Sequence, residues 1–208
     1  MNTQIPKGTR RQKQKEETRG IILDIARSYF SELGFNKTTI RKIAKKAEIG
    51  FGTVFNYFPD KSSLLIAALL DDLVKVQKDA MVSFPTDVTV CEKFLYLSNL
   101  FYLYYAKNPD LSRTLIKEMW FVKGEWGDAL KEQADQYVLL ISQIIDDGKK
   151  RGEIKEDVNS DIAAASFFSH YYSVLLLGLN GEEFKPDDLV FILKMMLDQT
   201  MDGIGVNK

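Results

Sequence analysis

The chain has 208 residues, 45% apolar and 27% charged, which is enough for one large domain or two small ones with a substantial core and describes a folded protein, not a disordered one. Its single cysteine, Cys91, excludes an internal disulfide and a cysteine-rich zinc site and fits a reducing cytoplasm, and no apolar leader opens the chain. The formal net charge of −1 conceals a division: residues 1–63 hold 13 Lys/Arg against 6 Asp/Glu, whereas residues 64–208 hold 15 against 23. A basic module for a polyanion, joined to an acidic body with another task, accounts for that split; chance clustering is the bland alternative.

In chain order, residues 1–15 read as a mobile basic arm containing Pro6 and Gly8. A helix is predicted from Glu16, with Ile22, Ile25, Ala26, Tyr29, Phe30 and Leu33 at three- and four-residue intervals. Gly34 ends it as a left-handed cap and Phe35 packs back on its last turn. Thr38 or Thr39 caps a second helix with Ile40, Ile43, Ala44 and Ala47 inside and Arg41, Lys42, Lys45 and Lys46 outside. Glu48-Ile49-Gly50 turns into a short third helix, in which Val54 and Phe58 are core and Phe51, Thr53, Asn56 and Tyr57 fall elsewhere. Pro59-Asp60 then caps a long helix over 61–81. Further helices are predicted near 87–107, 109–121, 128–151, 158–179 and 186–202, separated by AKNPD, KGEWGD, RGEIKED and LNGEEFKPD. The fold class is all-α, with about nine helices. The stretch Ile162–Leu179 is nearly apolar, but Ser166, Ser169, His170 and Ser173 interrupt it, so it reads as a buried helix and no membrane is expected.

Two helices joined by a short turn, the second carrying small exposed groups, form a helix-turn-helix. A helix that enters a major groove about 12 Å wide needs small or flat side chains on its contact face. Gly52 lets backbone come close, Thr53 offers a hydroxyl and a methyl, Asn56 can pair with an adenine edge or a phosphate, and an aromatic face can rest on a thymine methyl. The basic side of the preceding helix and Lys61 neutralise phosphates, which sets register without reading sequence.

The stretch FSELGFNKTTIRKIAKKAEIGFGTVFNYFPDKSSLL resembles the DNA-binding domain of the TetR family of bacterial transcriptional repressors over residues 25–65. The likeness lies in a Gly-Phe corner followed in order by Thr-Thr, Ile-Ala, Gly-Thr, an aromatic run and a lysine. The resemblance implies Arg41 near a phosphate, with Thr39 beside it at the start of the same helix. It implies Phe51, Gly52, Thr53 and Phe55 at or near base edges, and Asn56, Tyr57 and Lys61 near the DNA backbone. Three residues depart from the pattern. Gly50 stands where Ser is frequent and lacks a side-chain cap, Glu48 stands where Gly is usual, and Phe55 replaces Tyr and so has no hydroxyl for a phosphate.

The body is rich in rings, which calls for a large apolar pocket or an apolar dimer face. The resemblance implies that this body binds a small effector, and the expected contacts are Phe101, Tyr105, Trp120, Tyr137, Phe167, His170 and Tyr171. Its only histidine, His170, otherwise reads as a satisfied core residue, and no metal-ligand set accompanies it. The adjacent pairs Asp71-Asp72, Asp146-Asp147 and Asp187-Asp188 point apart on a helix, and there is no phosphate loop or nucleophile elbow. No cofactor and no enzyme activity are expected. The last two long helices are apolar beyond what one face needs, so a second subunit is expected against Leu176, Phe191 and Met195. The expected organisation is an arm over 1–15, a DNA-binding domain over 16–63 and an effector and dimerisation domain over 64–208. The leading function is a dimeric cytoplasmic repressor that binds palindromic operator DNA and is released by an apolar or aromatic effector. The alternatives are a ligand-independent DNA-binding protein and an α-helical enzyme.

Overall fold

The computed structural model describes residues 10–204, and these form nine α-helices and no strand. They are α1 (Arg10–Leu33), α2 (Ile40–Lys46), α3 (Phe51–Phe55), α4 (Lys61–Val82), α5 (Val90–Ala106), α6 (Pro109–Met119), α7 (Glu125–Lys150), α8 (Ser160–Asn180) and α9 (Pro186–Ile204). The all-α expectation holds. The first helix starts six residues earlier than the apolar period indicates, so residues 10–15 of the expected arm are helical, and residues 1–9 lie outside the described residues. Arg-Arg-Gln-Lys-Gln-Lys contains no breaker and consists of good helix formers, which lets α1 extend beyond its buried stripe.

By compactness the chain divides into Met1–Leu69 and Leu70–Lys208, with the division inside α4. The first unit is built on Ile22, Ala26, Phe30, Ile43, Val54 and Phe58, all buried at 0% exposure. Gly34 adopts φ 77° after the last turn of α1, and Phe35 folds back to 5.7 Å from the Phe30 ring. The buried Thr38 hydroxyl lies 2.9 Å from both the Tyr29 and the Gly34 carbonyl oxygens, which fixes the α1–α2 corner. Arg27 of α1 donates from Nε to the Ala68 carbonyl of α4 at 2.9 Å.

In the second unit, α8 packs against α7 and α9, and α5 against α7 and α9. Phe94, Leu97, Tyr102, Ile141, Phe167, Leu175 and Leu193 fill the centre. A capping box opens α5: the Thr89 side chain accepts from the Glu92 amide while Glu92 accepts from the Thr89 amide. One polar bond crosses the interior, from the Tyr102 hydroxyl to the Tyr171 carbonyl (3.0 Å), and nearer the surface Arg113 Nε donates to the Leu179 carbonyl (2.7 Å). Ser160–Asn180 is long and apolar enough to cross a membrane, yet its Ala164, Phe167, Val174 and Leu175 are buried inside the unit, as the core reading of that stretch requires.

Candidate DNA-binding face and effector cavity

Thr39 is the cap of α2, its hydroxyl accepting from the Lys42 amide at 3.2 Å. The chain then reverses at Glu48, a non-glycine residue in the left-handed region at φ 56°, and enters α3 through Gly50, which offers no side-chain cap. Because α3 is only five residues long and buries Val54, its remaining surface faces outward. Phe51 and Phe55 are exposed at 44% and 41%, and their rings meet edge to face at 4.9 Å. The Arg41 guanidinium of α2 lies 5.4 Å from the Phe51 ring centre. Gly52 and Asn56 are exposed, while Thr53 and Tyr57 are half-buried. An apolar, flat patch bordered by a guanidinium, a hydroxyl and an amide results.

Two placements were not legible in the sequence. Lys61 is half-buried, and its ammonium donates to the Phe35 and Thr38 carbonyls at 2.7 and 3.1 Å while lying 4.0 Å from the Phe35 ring. It braces the α1–α2 corner, and those bonds turn it away from the outward role expected of it. The second is a surface cleft in which Arg11, Gln14, Lys15 and Thr18 of α1 stand beside Thr53, Asn56 and Tyr57. The charge of that segment was visible, but its attachment to the recognition helix depends on α1 continuing back to Arg10.

In the body, a small cavity of about 50 Å³, partly open to the outside, lies among α4, α5, α6, α7 and α8. Of the residues named as effector contacts, Phe101, Tyr105, Tyr137 and Tyr171 line it, together with Leu73, Ile116, Met119, Gln133, Ala134, Phe168 and Tyr172, which were not singled out. Phe167 does not line it: fully buried, that ring packs on Phe94 at 5.4 Å on the other side of the helix. Trp120 lies outside, 65% exposed, at the lip of an adjoining open cleft, where it meets Tyr172 edge on at 5.6 Å. His170 is half-buried and also lies off the cavity wall; its Nδ1 is buried without a hydrogen-bond partner. Burial pushes the phenols of Tyr105, Tyr137 and Tyr171 far above their ordinary value, so they stay neutral. Among the described residues no group of three or more His, Cys, Asp and Glu comes together to hold a metal.

On α8 and α9, Phe191 and Met195 are exposed at 64% and 54%. Leu176 is half-buried, and the outward leucine is its neighbour Leu177 at 57%, on the same helix as Ile162 at 68%.

Residues 22–68 match the profile of the bacterial regulatory proteins of the tetR family, and residues 87–175 match that of the tetracyclin repressor-like C-terminal domain. The fatty acid metabolism regulator protein of Bacillus subtilis is 24% identical over 193 residues, covering 92% of this chain and 98% of that protein. The crystal structure of FadR from Bacillus subtilis in complex with stearoyl-CoA superposes with a TM-score of 0.69 at 22% identity, covering 89% of this chain and 98% of that one. A transcriptional regulator from Saccharomonospora viridis in complex with choline superposes at 0.67 with 20% identity, covering 92% and 100%. An operator-reading corner and a ring-lined body, matched in order by both profiles, lead to one conclusion: the chain belongs to the TetR family of transcriptional regulators.

Proposed function

We propose that the protein is a homodimeric cytoplasmic repressor whose residues 16–63 read a palindromic operator and whose residues 64–208 pair the subunits and bind a small effector that releases the DNA. The observation that carries the DNA half is the exposed Phe51–Phe55 pair beside Arg41, with Thr53 and Asn56 on the same short helix. Flat rings and a small hydroxyl suit base edges and thymine methyls, and Arg41 suits a phosphate. Arg11 and Lys15, across the cleft from Asn56 and Tyr57, add phosphate contacts to those expected from Thr39, Arg41, Asn56 and Tyr57.

The effector site in this reading is the ring-lined cavity, with Phe101, Tyr105, Tyr137 and Tyr171 from the first expectation and Phe168 and Tyr172 in place of Phe167 and His170. Leu73 links it to α4, the helix that starts at Lys61, so a ligand that displaces Leu73 acts on the element bracing the α1–α2 corner. Solved relatives hold ligands of opposite charge, two of them the acyl-CoAs stearoyl-CoA and lauroyl-CoA and one choline, and at 20–23% identity the likeness leaves the sign of this chain's effector open.

Selection of bound duplexes from a random-sequence pool tests the reading. The expected product is an inverted repeat with half-sites about one helical turn apart, bound less tightly as salt rises. Recovery of no common sequence would overturn the repressor reading in favour of non-specific binding.

A further inference from the structure

The inner cavity and the more open cleft beside it share four walls, Met119, Ala134, Phe168 and Tyr172. At about 50 Å³ the inner space holds a water molecule or two, so a ligand enters it by displacing Phe168 and Tyr172 and joining it to the cleft. What such a ligand then meets is one-sided. Of the eleven described residues around the inner cavity six are aromatic, four of them tyrosines, and none is charged. The face of an aromatic ring carries negative potential, which attracts a cation above it and repels an anion. No ammonium or guanidinium in that wall compensates an anion for its lost water, whereas ring faces compensate an organic cation.

The rim has the same sign. Among the described residues, Lys131 is the one charged residue lining the open cleft, and its ammonium is paired with Asp135, with Asp128 one turn before it on α7. Across residues 117–135, which include the end of α6 and the start of α7, Glu118, Glu125, Asp128, Glu132 and Asp135 outnumber Lys117, Lys123 and Lys131. On α8, the third element at the cleft, residues 162–180 carry no charged side chain apart from the titratable His170. The whole of residues 64–208 has eight more acidic than basic residues, which draws cations towards the body and repels polyanionic ligands.

Resting on the reading of this cavity as the effector site, we propose that the effector is a lipophilic organic cation. Its substituted ammonium lodges among the rings of Phe101, Tyr137, Phe168, Tyr171 and Tyr172, and its apolar part follows the cleft past Trp120.

Calorimetric titration of the full-length protein with three ten-carbon probes, each below its micelle-forming concentration, tests the charge of the head alone. Decyltrimethylammonium, 1-decanol and decanoyl-CoA share the tail and differ in carrying a positive, a neutral and a polyanionic head. The cation should bind about tenfold or more tighter than the alcohol, and decanoyl-CoA should bind weakest. Replacing a ring by a branched aliphatic side chain, Tyr172→Leu, should weaken the cation about tenfold and leave the alcohol unchanged. Should Tyr172→Leu not fold, Phe168→Leu carries the same comparison. Decanoyl-CoA binding as tightly as the cation overturns the proposed charge while keeping the cavity as the effector site. So does equal affinity for all three probes, or a folded ring variant that binds the cation as the parent does. Binding of none of the three overturns the effector-site reading itself, and this inference with it.

Discussion

Glu48 and Gly52 stand four residues apart and present opposite backbone problems. Glu48 holds φ 56°, a region that costs an L-residue with a side chain about 1–2 kcal/mol and costs glycine little. The family resemblance marks this as a glycine position, and the backbone supplies the reason. Glu48→Gly should therefore raise stability by up to about 1 kcal/mol in a denaturant titration, allowing for the extra unfolded-state freedom of glycine. The same change removes a carboxylate next to the proposed DNA face and should tighten operator binding at low salt, as read by fluorescence anisotropy. At Gly52 an added Cβ would meet nothing within 4 Å. Gly52→Ala should stabilise α3 by up to about 1 kcal/mol and still weaken operator binding, because the methyl stands between Phe51 and Thr53 on the proposed contact surface. A variant that is more stable and binds DNA as before would remove Gly52 from that surface.

At the scale of the helices, glycine has the reverse meaning in α7. A Cβ on Gly148 would lie 2.4 Å from Val90 Cγ2 and 3.1 Å from Ile154 Cγ1. The first turn of α5 approaches α7 at that point, so Gly148→Ala should cost about 1–3 kcal/mol despite the better helix propensity of alanine. A thermal midpoint equal to or above the parent's would show that the first turn of α5 yields. Helix existence and order were legible because the apolar period and the Gly, Pro and charged breakers agree all along the chain. The start of α1 was less so, because residues 10–15 are all exposed and leave no buried stripe to mark them. The cavity wall was legible only in part. Successive residues on a helix point about 100° apart, and α8 is apolar nearly all round, so its pattern does not decide between Phe167 and Phe168. The structure sends Phe167 onto Phe94 and Phe168 to the cavity. The same ambiguity leaves Leu176 half-buried and its neighbour Leu177 outward on that helix.

For the whole molecule, the division of charge was readable by counting, and the apolar surplus of the last two helices survives in the structure as Ile162, Leu177, Phe191 and Met195 on the outside. Monomeric proteins rarely expose large apolar patches, so a second copy is the economical cover. Phe191→Glu should destabilise the pair by several kcal/mol if that face is buried between subunits. Sedimentation should then give a monomer, with operator binding lost although residues 1–63 are untouched. A parent protein that sediments as a monomer at micromolar concentration, or a charged variant that stays dimeric, would discard this interface.

The two tryptophans stand six positions apart in very different surroundings, Trp120 65% exposed and Trp126 6% exposed. An aqueous quencher such as iodide reaches the first and spares the second, so their emission divides into a reachable and a protected fraction. Trp120 touches Tyr172, and Tyr172 belongs to both the cavity and the cleft. Any molecule that swings Tyr172 aside changes the light from Trp120 and leaves that from Trp126 as an internal standard. The protein thus carries an unlabelled optical gauge at the doorway of its own cavity, with the reference lamp six residues farther along the chain.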